Sequence, residues 1–324
     1  MPMPMPLDGT KPGDPRNALF LAQACNLAYF DAPGGVDRFR DDLGLEARLI
    51  SVGNTQVYVA QNDKVLVVAF RGSQAPNTLD GLKDWLLTNA NNYLILPEGQ
   101  IGTDFAAAGV GARFHRGFME ALHEIWEPLL ATVAEAMESN DRPLWVTGHS
   151  LGGALALLAA WRLQRNFITV HEVVTFGAPM IGNEAAARAF EQEFAGKIFR
   201  YVNFEDPVPL LPSISLVANT YAHCQSEVSL AAVAAVASAL DMLKESAGSA
   251  VDRLIEASQI DHLWRVVQSR IAAHFIDHYQ ERVKVKCGDG ESSAIAAETT
   301  ITAQTDARGE LLEVKPSGLR SDRS

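Results

Sequence analysis

Residues 148–153 read Gly-His-Ser-Leu-Gly-Gly, which places Ser150 between Gly148 and Gly152. The run follows a strand-like segment, residues 143–147 (PLWVT), and opens an apolar helical one, residues 151–163 (LGGALALLAAWRL). A serine on a sharp strand-to-helix turn stands exposed above the sheet, and glycines two positions away let the backbone fold tightly around it. The helix start adds free N–H groups and positive dipole where an oxyanion would develop. The chemistry this implies is nucleophilic acyl transfer. A glycine-rich turn with a helix-capping serine is the bland alternative, but the strand before and the helix after favour a nucleophile.

A serine hydroxyl is a weak nucleophile and needs a base oriented by a carboxylate. In sheets wound this way the acid, then the histidine, follow the serine along the chain. The acid candidate is Asp206 in residues 201–212 (YVNFEDPVPLLP), just past a strand-like run, with Glu205 as its competitor. A turn aspartate before proline has the same appearance. After Asp206 come His223, His262, His274 and His278. His274 and His278 lie one helical turn apart in residues 271–283 (IAAHFIDHYQERV), share a face, and either suits the base.

Those groups need a scaffold, and the chain can build one. Its 324 residues are 48% hydrophobic and 20% charged, a globular composition that excludes disorder throughout, collagen and coiled coil. Strand-like runs at residues 56–60, 65–70, 143–147, 170–176 and 198–202 alternate with helical patterns at 117–137, 151–165 and 184–194. A further helix is expected at 17–30, ended by Pro33-Gly34-Gly35. This alternation implies an α/β fold with a mostly parallel central sheet and helices on both faces. Residues 65–70 are continuously apolar, as in a strand buried on both faces.

Two segments interrupt the alternation. Residues 74–111 form a long strand-to-helix connection, in which Leu79, Leu82 and Leu86 fall at i, i+3 and i+7 with Trp85 beside them. A short amphipathic helix in such a loop is a candidate active-site lid. Residues 227–271 read as a helical insert. Residues 1–14 are Pro/Gly-rich and expected to be mobile. The tail, residues 284–324, is polar from Cys287, consistent with one hairpin at 299–314 or with disorder.

The net charge of −12 disfavours nucleic acid and charge-driven adsorption to anionic lipid. Cys25, Cys224 and Cys287 are too few and too scattered for a disulfide framework or a metal site, so no metal is expected. No apolar run reaches the roughly 20 residues of a bilayer span. The first residues, MPMPMPLD, lack the cationic flank and apolar core of a Sec signal. The expectation is a soluble protein, cytoplasmic or exported without a Sec signal peptide.

Six motifs then fall in a telling order: VAFRGS (68–73), DWL (84–86), HRGF (115–118), GHSLGG (148–153), FGAP (176–179) and DPVP (206–209). In this the chain resembles the class 3, fungal-type triacylglycerol lipases over about residues 15–283. The resemblance implies an α/β-hydrolase fold with Ser150 as nucleophile, Asp206 as orienting acid and no cofactor. It also implies an oxyanion hole from Ser73 and the N–H of Leu151, a supporting His115 outside the chemistry, and a lid around Leu79, Leu82, Trp85 and Leu86. Family members often read His-x-x-x-x-Tyr at the base, matching His274 through Tyr279. Asp277-His278-Tyr279 offers the alternative frame, with His278 as base. Arg71 is expected to pair with a buried acid. The longer loop before His115, the insert after Asp206 and the missing signal and disulfides resemble bacterial members.

The implied activity is ester hydrolysis through an acyl-enzyme on Ser150, with acylglycerols at a lipid interface as substrates. Phospholipase A1 and feruloyl or short-chain esterase are the alternatives within the family. A non-catalytic lipid-binding protein and a peptidase or thioesterase are the alternatives outside it. Oligomeric state is not legible in the sequence.

Overall fold

A computed structural model describes residues 5–73, 94–96, 99–210, 221–224, 226–230 and 271–299. Its centre is set by the apolar run before Arg71. Strand β3 (Leu66–Phe70) is buried at every position, because it lies inside a sheet covered on both faces. To one side it pairs antiparallel with β2 (Thr55–Gln61), which pairs antiparallel with β1 (Glu46–Val52). To the other side it runs parallel to β6 (Leu144–His149), followed by β7 (Val170–Phe176), β9 (Ile198–Val202) and β11 (Ser226–Ser229), all parallel. The short strands β4 (Leu94–Ile95), β5 (Phe114–His115), β8 (Gly182–Asn183) and β10 (Tyr221–Ala222) form a second, small sheet.

Alternation along β6 shows how both faces are covered. Thr147 faces helix α1 (Pro15–Leu27), where its hydroxyl meets the Cys25 thiol at 3.2 Å. Val146 and Leu144 belong to the main apolar core on the opposite face, with Leu155 and Leu158 of Leu151–Arg165 and Leu122 and Ile125 of Arg116–Ser139. The sheet is mostly parallel with helices on both faces, as the sequence implies.

Several elements differ from expectation. Pro33-Gly34-Gly35 does not only end a helix; Gly34 begins the next, Gly34–Leu43, whose buried Gly35, Phe39 and Leu43 recur every four residues. Glu227 does not open a helical insert, because Ser226–Ser229 is a strand paired with Phe199–Val202. It is an edge strand and largely exposed, so it carries no apolar alternation to read. Residues 231–270 of the expected insert lie outside the described residues. Cys287 does not begin an irregular tail, since the helix from Ile276 continues to Thr299; the proposed hairpin beyond it is not described.

The lid residues Leu79, Leu82, Trp85 and Leu86 also lie outside the described residues. The later part of the 74–111 connection is built into the body. Helix Gly99–Ala106 buries Phe105 against Phe114 and Trp161, and Asp104 binds the buried Arg162 at 2.8 Å. The chain divides into two units, Met1–Lys284 and Val285–Ser324. The candidate catalytic groups, where described, belong to the first.

Candidate active site

Parallel strands deliver their C-terminal ends to one edge, and the candidate residues follow those ends. Register pairs Phe70 with Gly148, His149 with Phe176, and Phe176 with Tyr201. Ser73 lies three residues past Phe70, Ser150 two past Gly148, and Asp206 five past Tyr201. This edge is where open α/β sheets place their sites.

Ser150 sits on the turn between β6 and the helix Leu151–Arg165 with φ 58° and ψ −130°. For a non-glycine residue that conformation costs on the order of 1–3 kcal/mol, and it persists only where the surroundings enforce it. Here the Ser150 N–H donates to the Phe176 carbonyl at 2.9 Å, and the Ser150 carbonyl accepts from Gly153 N–H at 2.9 Å. Both flanking glycines are sterically required. A Cβ on Gly148 would lie 2.1 Å from the Gly152 carbonyl oxygen, and one on Gly152 would lie 2.4 Å from that of Phe70. The first helical N–H, that of Leu151, is directly beside the serine, at the positive end of the helix dipole.

Asp206 and His274 are brought together from distant parts of the chain. His274 Nδ1–H donates to Asp206 Oδ2 at 2.7 Å, with both side chains buried. Tyr279 O–H donates to the same oxygen at 2.6 Å, and Val208 N–H donates to Oδ1 at 2.9 Å. The tyrosine hydroxyl is held far above its ordinary pKa by burial and by the neighbouring Asp206 charge, so it stays a donor. Asn203 completes the frame: its N–H donates to Tyr279 Oη at 3.1 Å, and its side-chain amide donates to the Ala273 carbonyl at 2.8 Å. The Nε2 of His274 is buried and makes no hydrogen bond among the described residues, to the Ser150 hydroxyl or otherwise. Catalytic contacts of this kind often tighten only with substrate bound.

The other candidates separate clearly. His278 is exposed, and its neighbour Asp277 accepts from Asn26 at 2.7 Å. Glu205 pairs instead with Arg282 at 2.8 Å. Ser73 Oγ is buried without a hydrogen bond among the described residues, a free donor at the strand end. His115 caps the helix Arg116–Ser139 through Phe118 N–H and stacks on Phe118 at 3.9 Å. Arg71 does pair with an acid, Asp31 at 2.8 Å, but that acid is exposed, not buried.

Sequence reasoning missed one participant inside its own motif. His149 is buried against the His274 ring, 4.7 Å between centroids, and its Nε2 lies 2.6 Å from the His274 carbonyl. A carbonyl only accepts, so Nε2 carries the proton and Nδ1 accepts from Tyr29 O–H at 2.7 Å. Burial, then the nearby His274, lowers the His149 pKa well below the usual imidazole value. It is a neutral strut. Among the described residues no group of three or more His, Cys, Asp or Glu is placed to hold a metal ion, and no helix is long and apolar enough to cross a membrane.

Residues 67–216 match the family model described as Lipase (class 3). Among curated proteins, the chain is 36% identical over 160 residues to secreted mono- and diacylglycerol lipase 1 of Fusarium solani, covering 48% of this chain and 43% of that protein. It is 36% identical over 124 residues to secreted mono- and diacylglycerol lipase 3 of Gibberella zeae, covering 37% of each. A chloroplastic phospholipase A(1) of Arabidopsis thaliana is 29% identical over 160 residues, 47% of this chain and 34% of that one. The chain thus spans less than half the length of the curated relatives it matches. These relatives are fungal and plant proteins and lend no support to the expected likeness to bacterial members.

Solved structures agree on the fold. The Lip2 lipase of Yarrowia lipolytica superposes with a TM-score of 0.54 at 23% identity, over 66% of this chain and 78% of that one. A triacylglycerol lipase whose catalytic centre is described as a serine protease triad gives a TM-score of 0.51 at 25% identity, over 67% and 81%. The protein has an α/β-hydrolase fold.

Proposed function

We propose, from the class 3 lipase pattern of residues 67–216 on this α/β-hydrolase core, that the protein is a serine carboxylester hydrolase acting on acylglycerols. The observation that carries the reading is the buried Asp206–His274 pair at 2.7 Å, with His274 Nε2 left unpaired at the edge where Ser150 stands. In this reading Ser150 Oγ attacks the ester carbonyl while His274 Nε2 takes its proton. The leaving alcohol receives that proton as the tetrahedral intermediate collapses to the acyl-enzyme. Water, activated by the same imidazole, releases the acid. Asp206 holds the imidazole and balances its charge, and the N–H of Leu151 and the Ser73 donors receive the oxyanion.

Residues 15–283 form the hydrolase domain in this reading, with a lid within about 74–111, an insert within about 227–271 and a C-terminal segment from 284. Mono- and diacylglycerols are favoured as substrates by the names of the fungal relatives. A phospholipase A1 activity is the second reading, favoured by the plant relative. Those fungal relatives are named as secreted, which does not fit the expected cytoplasmic location or export without a Sec signal peptide. The partner is a neutral lipid surface.

The test is labelling by a fluorophosphonate probe, mapped by peptide mass, together with fatty-acid release from mono-, di- and triacylglycerol and phosphatidylcholine. Labelling confined to Ser150, with release from acylglycerols lost in Ser150→Ala, supports the reading. A folded protein that neither labels nor releases fatty acid contradicts it.

A further inference from the structure

The turn that carries Asp206 is held at both ends, and only the first end belongs to the machinery described so far. At that end Asn203 binds Tyr279 and the Ala273 carbonyl. At the other, the Pro209 carbonyl lies 2.6 Å from His223 Nε2. The carbonyl accepts, so Nε2 must carry the proton. Between the two ends the turn closes on itself, with Asp206 N–H to the Asn203 carbonyl at 2.9 Å and Leu210 N–H to the Pro207 carbonyl at 3.1 Å. Pro207 and Pro209 have no N–H to offer, so a contact to the Pro209 carbonyl is a natural way to fasten this end.

His223 is itself fixed by a buried cation. Arg200, on the strand that leads into the turn, is only 4% exposed. Its Nε donates to the Cys224 carbonyl at 2.8 Å, and it faces Glu227 at 3.7 Å. That bond holds residues 221–224 alongside the strand and brings His223 within reach of Pro209. Burial and the Arg200 charge push the His223 pKa down to about 3, so the imidazole remains neutral and keeps its single donor through the working pH range. A protonated His223 would put a second positive charge beside Arg200.

We propose that His223 is a positioning residue for Asp206: by fastening the Pro209 carbonyl it fixes the 206–209 turn and keeps the carboxylate in register with His274. The proposal rests on the reading of Asp206 and His274 as the acid and base. Their alignment is also what a change at His223 would disturb. Angstrom-scale misplacement of a catalytic group costs on the order of 10–100-fold in rate, so the expected effect falls on kcat rather than on substrate binding.

Three substitutions separate donation from packing. His223→Leu keeps the volume and removes the donor, His223→Gln keeps a neutral donor of similar reach, and His223→Asn keeps a donor that is too short. For Leu and Asn, kcat on a soluble ester falls roughly 10-fold or more with KM little changed. His223→Gln stays within about threefold of wild type. Independently of activity, the downfield proton resonance of the Asp206–His274 bond persists in wild type and Gln and is shifted or lost in Leu and Asn.

Wild-type kcat and resonance in a folded Leu or Asn variant overturn the proposal, as does a Gln variant that falls as far as Leu. A wild type without ester hydrolysis but with a resonance that follows this order overturns the enzymatic reading and leaves the positioning contact standing.

Discussion

His149 Nε2 and the backbone carbonyl of His274 are 2.6 Å apart, so the residue beside the serine holds the main chain of the residue that binds Asp206. The same ring accepts from Tyr29 at 2.7 Å. The bond couples the turn after β6 to the segment before the last helix, two parts of the chain joined by no local connection.

Replacing that ring tests the coupling. His149→Phe leaves the Tyr29 hydroxyl and the His274 carbonyl without this partner, which costs about 1–3 kcal/mol in denaturant unfolding near pH 8. His149 also has a pH signature. The unfolded chain takes up a proton below about pH 6.5 that the buried native imidazole refuses, so stability is full above that pH and falls as pH drops through it. In His149→Phe this part of the acid dependence disappears. An unchanged acid slope in the variant contradicts the assignment of a neutral strut.

Glu172 predicts the opposite slope. The residue is 1% exposed, and its carboxylate accepts from Gly13 N–H at 3.0 Å and leaves Oε1 without a hydrogen bond among the described residues. Burial raises its pKa from 4.5 to about 7, against the Gly13 bond, with the Asp14 charge adding to the rise. Between those values the unfolded chain has lost a proton that the native one keeps. This contribution therefore declines as pH rises from about 4.5 to about 7 and is flat beyond. Glu172→Gln, which still accepts from Gly13, gains roughly 1–3 kcal/mol over wild type at pH 8 and little at pH 4.5. Urea melts at the two pH values decide it.

Gly152 is a steric requirement with a functional consequence. A methyl group there meets the Phe70 carbonyl at 2.4 Å, so either β3 or the serine turn must move. Gly152→Ala is expected to lose about 3 kcal/mol or more, or to fold with at least about 100-fold lower kcat/KM. A variant with wild-type melting temperature and rate would show that the turn tolerates the side chain.

The residues whose environment is local were legible in the sequence. The serine turn, β3 and the helix after Ser150 carry their own signals: a glycine pair, a continuous apolar run, an apolar period. Strands β1 and β11 are edge strands with little burial, so no alternation marked them. The pairing of Asp206 with His274 and not His278 depends on a break at Phe275: His274 ends a short 3-10 turn, Ile271–His274, and His278 lies in the helix that starts at Ile276, so the two do not share a face as a single helix over 271–283 would have placed them. The roles of His149, Tyr279 and Asn203 depend on hydrogen bonds between segments far apart in the chain, for which a single sequence carries no pattern.

The proposed chemistry depends above all on His274 as the base that serves Ser150. The measurement is kcat/KM on p-nitrophenyl esters for wild type, Ser150→Ala, His274→Ala and His278→Ala, each shown to be folded. Loss on the order of 10³-fold or more in Ser150→Ala and His274→Ala, with His278→Ala near wild type, is the predicted result. Loss in His278→Ala with His274→Ala still active would contradict it.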